Sequence, residues 1–347
     1  MNAPERALAT IELGAIERNC ARLPKPLCAV VKSDAYGHGP VAPAALAGGA
    51  TWLAVAAAEE AAALRRQGIE APILVMGALT ADELRVAVDA NADVVAWTEE
   101  IADAAPRVHV KLDTGMGRLG TKDRELALRL ALRPNVVGLM THFATADDLG
   151  DDLFGAQLGA FREFVEAVGR DELIVHAANS AAALREPASH FDLVRCGIAI
   201  YGMDPFGEDP AAHGLEPALS LRSWVAAVRR FEQGDTAGYG RRWTAPEPTW
   251  VATVPIGYGD GWRRALTNNC DVLIRGRRHP LVGTVSMDNI TVALGSHTDI
   301  EVGDEVILIG VQGEERILAE EVARRQDTIN YEVTCALTPR VRRQYAP

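Results

Sequence analysis

The stretch Leu27-Cys-Ala-Val-Val-Lys32-Ser-Asp-Ala-Tyr36-Gly-His-Gly39 sets the reading of the first 200 residues. Five apolar residues in succession suit a strand buried on both faces, as in a parallel sheet. The chain then turns polar at Lys32 and reaches two glycines, Gly37 and Gly39, that permit a tight turn. The same rhythm recurs. Apolar runs stand at Trp52–Val55, Pro72–Met76, Asp93–Ala96, Val108–Leu112, Val136–Met140, Leu173–Val175 and Leu193–Ile200. Amphipathic, alanine-rich stretches such as Glu59–Gln67, Ala81–Ala90 and Leu153–Val168 lie between them, with a shorter one around Thr98–Asp103. Eight strands alternating with helices predict an α/β fold of the (β/α)8 TIM-like barrel type, with a doubly wound sheet as the alternative.

Past residue 217 the texture changes. Leu219–Val228, Trp250–Val254, Val272–Ile274, Ile290–Leu294 and Val306–Ile309 read as short strands between Gly-, Pro- and Asp-rich turns. The expectation is a barrel over residues 1–217 and a mainly β C-terminal domain over 218–347, divided near His213–Pro217. A formal net charge of -12 over 347 residues argues against nucleic acid or an anionic membrane as partner. No apolar run is long enough for a membrane span, and Met-Asn-Ala-Pro-Glu-Arg at the N-terminus lacks a signal-peptide core. Five scattered cysteines show neither CxxC spacing nor zinc-ligand spacing. Reduced thiols, a cytoplasmic location and no metal are therefore expected.

In a barrel, chemistry gathers where strands end. Lys32 ends the first strand, where desolvation disfavours its ammonium and frees an amine for Schiff-base chemistry. Tyr36 can offer a hydroxyl to a phosphate. On the fifth strand, period two sends His109, Lys111 and Asp113 to one face. Gly115–Gly120 matches G-x-G-x-x-G, but no acidic residue ends the next strand, which disfavours a dinucleotide site. That strand ends instead at His142. Asn179 and Ser180 are candidate caps for a helix whose N-terminus suits a phosphate. Arg195 lies inside an apolar run and must have a partner, because arginine is rarely buried unpaired.

The string Val30-Val-Lys32-Ser-Asp-Ala-Tyr36-Gly-His-Gly39 resembles the cofactor-lysine segment of the bacterial alanine racemase family. Recognisable segments continue from about residue 29 to residue 340. Ser33 and Asp34 stand where the family commonly has Ala or Asn. The resemblance implies pyridoxal 5'-phosphate held by Lys32, with Tyr36, His142, Ser180, Arg195, Gly197, Ile198 and Tyr331 around it. It implies that Arg118 holds the substrate carboxylate beside Lys111, a lysine often carbamylated in the family. Arg195 would donate to the pyridine nitrogen without protonating it, which favours racemisation over transamination. His176 and Asp288 take supporting positions.

Racemisation needs a base on each face of Cα. Gly238-Tyr239-Gly240 resembles the segment supplying the second base, from the other subunit. Gly257-Tyr258-Gly-Asp-Gly resembles the access corridor, and Val285-Ser-Met287-Asp288 the segment whose methionine amide meets the substrate. Ser286 replaces a frequent cysteine. The resemblance thus implies a cytoplasmic homodimeric isomerase that interconverts L- and D-alanine and supplies D-alanine for peptidoglycan. A racemase of broader specificity is the alternative. A non-catalytic PLP-binding protein would lack the β domain, and a basic-amino-acid decarboxylase would carry an acidic residue at Arg195.

Overall fold

The computed structural model describes residues 6–347; the terminal residues Met1–Glu5, read above for a leader, lie outside them. Strand β1 (Leu8–Glu12) is followed by the eight barrel strands. These are β2 (Leu27–Val30), β3 (Trp52–Val55), β4 (Ile73–Val75), β5 (Asp93–Ala96), β6 (Val108–Lys111), β7 (Val136–Met140), β8 (Ile174–His176) and β9 (Val194–Cys196). They pair in parallel in the order β8-β7-β6-β5-β4-β3-β2-β9. The Asp192 and Arg195 amides donate to Val175 O and Ala178 O at 3.0 and 2.9 Å, which closes the ring between β8 and β9. The continuous apolar runs are thereby explained: β2, β4, β5, β6 and β9 are buried along their whole length, inside against one another and outside against helices.

The connecting helices begin where side chains satisfy their first amides. Thr80 and Glu83 form a reciprocal capping box on Ala81–Asp89, and Asp123 caps Arg124–Ala131 through Leu126 N at 3.0 Å. The short stretch expected near Thr98–Asp103 is the helix Glu99–Ala104, capped by Thr98. Gly169, in the left-handed region, ends the long helix Leu153–Val168.

The eighth run differs from expectation. Its strand stops at Cys196, and Ile198–Tyr201 forms a 3₁₀ turn. Gly197 breaks the strand, and Ser180 Oγ accepts from its amide at 3.1 Å. Gly202 follows at φ +71°, and a Cβ there would lie 1.7 Å from Glu216 O, a backbone atom. Gly202→Ala should therefore cost about 3 kcal/mol, well above the typical substitution, read as a lowered denaturant midpoint. An unchanged midpoint would contradict this close approach.

The second sheet is mainly antiparallel and joins Leu219–Trp224, Ala227–Phe231, Thr249–Val254, Asp271–Ile274, Arg277–Val282, Ile290–Gly295 and Glu305–Gln312. The run read as Leu219–Val228 is two strands. At Val225 and Ala226 the amides switch from Asp304 O to Thr253 O, moving the chain to a new neighbour. β1 also belongs here, antiparallel to Leu219–Trp224 and parallel to the C-terminal strand Arg342–Ala346. Among the described residues no helix is long and apolar enough to cross a membrane, and all five cysteines are free.

Candidate active site

Seven of the eight strand ends open on one cavity of about 520 Å3. Its lining includes Lys32, Tyr36, Lys111, Arg118, His142, Ser180, Arg195, Gly197 and Ile198, with Tyr331 and Cys335 from the C-terminal domain. Among the described residues four cations line it and no carboxylate does. In a chain of net charge -12 this concentration of positive charge calls for an anionic ligand.

Lys32 leaves β2 into an unusual backbone. Ser33, Asp34, Ala35 and Tyr36 all have φ between +50° and +56°, a complete left-handed turn without glycine. Such a conformation costs about 1–2 kcal/mol per residue and persists only where its surroundings impose it. Here Glu60 accepts from Ser33 N at 2.5 Å, Arg343 Nε donates to Gly37 O at 3.2 Å, and Gly37 lies against Thr334 O. The turn buries Tyr36 between the rings of Tyr201 and Tyr331, with centroids 5.0 and 5.7 Å away. It also brings the Tyr36 hydroxyl so close to Gly197 that a Cβ there would meet it at 2.3 Å. Tyr331 itself rides on the helix Asn330–Cys335. Asn330 holds that helix by donating to Asp204 O and Glu320 Oε1 at 2.8 and 2.9 Å.

Burial, reinforced by Arg118, lowers the Lys32 ammonium below the usual lysine range. Burial also pushes Lys111 down, to about 8, with Arg195 and Arg118 adding to the shift. Arg118 sits exposed on the loop after β6 and has no polar partner among the described residues. The glycines of that loop do not form a dinucleotide cradle. The Asp113 carboxylate already accepts from Gly115 N and Gly117 N at 3.0 and 3.1 Å, and the next helix starts only at Arg124.

Arg195 is buried with its partners named. Its Nη1 donates to His176 Nδ1 at 2.8 Å, and its Nη2 to Thr141 O and Ala177 O at 2.9 and 3.0 Å, with His142 Nδ1 at 3.3 Å. Among the described residues Nε makes no hydrogen bond. Asn179, not Ser180, caps the helix Ser180–Arg185 by accepting from Ala182 N, which leaves Ser180 Oγ to the Gly197 and Ala199 amides.

The second group of predicted residues lies elsewhere. Tyr239 occupies the turn of a small ribbon, Thr236–Ala237 with Trp243–Thr244, and is 73% exposed. Thr284 Oγ1 donates to Tyr239 O at 2.6 Å, and Gly238 (φ +72°) packs on the Thr284 backbone. The same segment carries Met287, also exposed, and Tyr258 N donates to Ser286 O at 3.0 Å. Asp288 pairs with Arg340 at 2.6 Å, and the buried Asp260 braces the Tyr258 turn through Gly257 N and Arg6. Tyr239, Tyr258 and Met287 therefore form one exposed patch, and none of them lines the Lys32 cavity of their own chain.

Residues 11–205 match the family model described as alanine racemase, N-terminal domain, and residues 218–345 match alanine racemase, C-terminal domain. The chain belongs to the alanine racemase family. It is 42% identical over 360 residues to the alanine racemase of Geobacillus stearothermophilus, covering 96% of this chain and 92% of that one. It is 40% identical over 362 residues to that of Symbiobacterium thermophilum, covering 97% and 96%. Among solved structures, alanine racemase from a D-cycloserine-producing Streptomyces lavendulae superposes with TM-score 0.92 at 36% identity, covering 100% and 98%. The alanine racemase from E.faecalis gives 0.91 at 36% identity, covering 99% and 98%. Family members are isomerases, and both halves of this fold are theirs.

Motif reading passed over His38, His109 and Asp93 as partners. His38, His109 and His176 are fully buried, and burial lowers all three below the usual 6.5, His38 to about 4. Their folded values lie below the unfolded one. Their contribution to stability is thus complete above pH 6.5 and is lost below it, as the unfolded chain takes up protons. Each histidine that stays neutral should remove about 2 kcal/mol between pH 7 and pH 5. Urea midpoints of the cofactor-free protein at those two pH values test this, and equal midpoints would contradict it.

Proposed function

We propose that this chain interconverts L- and D-alanine, with pyridoxal 5'-phosphate held by Lys32 and with Tyr239 of a second subunit completing each site. The observation that carries the reading is the division of the site. A cavity with four cations and no carboxylate holds Lys32, while Tyr239, Tyr258 and Met287 wait on an exposed patch outside it.

The residues present fit the cofactor. A volume of about 520 Å3 suits a small ligand of this kind. Ser180 and Tyr36 come together at Gly197, where any side chain would intrude, and form a cradle for the phosphate with the Ile198 amide and Tyr331. The free Nε of Arg195 is the donor for the ring nitrogen, and His142 stands beside it. When bound, pyridoxal 5'-phosphate acidifies the Cα–H of an attached amino acid by withdrawing electrons.

The remaining work falls to the chain's own groups. Arg118, which has no polar partner among the described residues, binds the substrate carboxylate. Lys32, with its ammonium disfavoured by burial, takes or returns the proton on the D face. Tyr239 of the other subunit does so on the L face, and Met287 borders the substrate from the same side. Arginine gives up a proton reluctantly. Burial lowers Arg195 only to about 10, so it stays a charged donor and leaves the ring nitrogen unprotonated. Lys111, at about 8, is partly an amine near neutrality; that amine can add carbon dioxide and release a proton, which puts a carbamate anion in place of a cation near Arg195 and Arg118. The product serves peptidoglycan.

Purified protein supplied with the cofactor should racemise alanine from either enantiomer faster than any other member of a panel of single-enantiomer amino acids. No racemisation of any of them would overturn the proposal.

A further inference from the structure

Behind Arg195 the barrel interior holds a line of polar side chains, His176, His109 and Asp93, that the chemistry above does not use. Arg195 Nη1 lies 2.8 Å from His176 Nδ1, His176 Nε2 lies 2.8 Å from His109 Nδ1, and His109 Nε2 lies 3.2 Å from Asp93 Oδ2. Asp93, the first residue of β5, receives Arg107 Nε and Nη2 at 2.7 and 3.1 Å. The line runs from the strand ends at the mouth to the opposite end of the barrel, where the Arg107 side chain is half exposed.

Its polarity is determined at both ends. A guanidinium only donates, so His176 Nδ1 must accept from Arg195 and its proton must sit on Nε2. That proton goes to His109 Nδ1, so His109 carries its own on Nε2 and donates to Asp93. The Asp93 carboxylate only accepts. The hydrogen bonds on the His109 and Arg107 side outweigh burial and hold it below the ordinary carboxylate range. Space has been made for the line as well. A Cβ on Gly138, in β7, would meet His109 Nδ1 at 2.1 Å, and Trp52 meets the same ring edge-on at 5.8 Å.

We propose that Asp93, acting through His109 and His176, is a positioning residue for Arg195: it selects the Nε2–H form of both imidazoles and so keeps an acceptor against the guanidinium. This rests on the reading that Arg195 serves the cofactor ring. The tautomers themselves do not depend on that reading.

Asp93→Asn makes the point testable. Arg107 Nε, which donates to Oδ1 at 2.7 Å, cannot accept, so the amide oxygen keeps that place. The NH2 takes the place of Oδ2 and faces His109 Nε2, while the longer Arg107 Nη2 bond to that atom, 3.1 Å, is given up to solvent. Both imidazoles must then carry their protons on Nδ1, and His176 confronts Arg195 donor to donor. Nitrogen-15 NMR of the cofactor-free protein should show His109 and His176 as Nε2–H in the native chain and as Nδ1–H in Asp93→Asn. In the loaded enzyme, the variant should racemise alanine about tenfold more slowly or worse, as expected for losing one charge-assisted hydrogen bond. Adding Arg107→Ala to Asp93→Asn frees the amide to turn its oxygen to His109. That double variant should regain the native tautomers and most of the rate.

Native chain found with Nδ1–H on His176 overturns the proposal without any variant. So does an Asp93→Asn protein with unchanged tautomers, or a double variant slower than the single one. Native tautomers that respond as expected in a protein with no racemase activity would overturn the functional reading and leave the relay standing.

Discussion

Lys32→Ala is expected to abolish cofactor attachment and to lower alanine racemisation by about 10⁴-fold or more, since one residue serves as both attachment point and base. The substitution removes the lysine that joins β2 to the left-handed turn Ser33–Tyr36. Lys111 also lines the cavity, but it lies across the barrel on β6. It should not replace Lys32. The visible absorbance of the lysine-bound cofactor should vanish in the variant. Borohydride reduction of the native protein should fix the label on Lys32 alone. Undiminished turnover in Lys32→Ala without added amine would contradict the assignment. So would a label recovered on Lys111.

Tyr239→Phe is expected to slow α-proton removal from L-alanine by roughly 10²–10⁴-fold while leaving cofactor binding nearly intact. The cavity that would hold the cofactor contains no part of Tyr239, so loss of one exposed hydroxyl leaves that lining untouched. Lys32 remains on the opposite face. In D2O the variant should therefore exchange the α-hydrogen of D-alanine far faster than that of L-alanine. Equal exchange from both enantiomers would refute the assignment of one base to each face.

How much of this was readable beforehand depends on range. The barrel strands announce themselves because each is a local apolar run buried on both faces, and Lys32, His142 and Arg195 fall at or near the mouth by position within those runs. β1 and Arg342–Ala346 were not legible, since they pair across the full length of the chain and the latter is largely polar. Arg277–Val282 reads as polar with a proline, yet pairs on both sides of the sheet. The left-handed turn at Ser33–Tyr36 was equally hidden. Ser-Asp-Ala-Tyr has no intrinsic preference for it, and the groups that impose it come from Glu60, Thr334 and Arg343. Period two did place His109 on the face of Lys111. Its chain of partners through His176 and Asp93 required three strands to be brought into register.

The gathering of Tyr239, Tyr258 and Met287 is likewise tertiary, made by the segment Thr284–Met287, which carries Met287 and touches the turns of Tyr239 and Tyr258. Their separation from Lys32 within one chain makes the central claim testable by mixing two inactive proteins. Lys32→Ala and Tyr239→Phe subunits, dissociated together and allowed to reassociate, form mixed dimers. If Lys32 of one chain works with Tyr239 of the other, each mixed dimer has one doubly substituted site and one intact site. Racemase activity should return on mixing, up to half the native rate per mixed dimer. Formation of mixed dimers with no more activity than either parent would show that both groups act within a single chain, and would contradict the account.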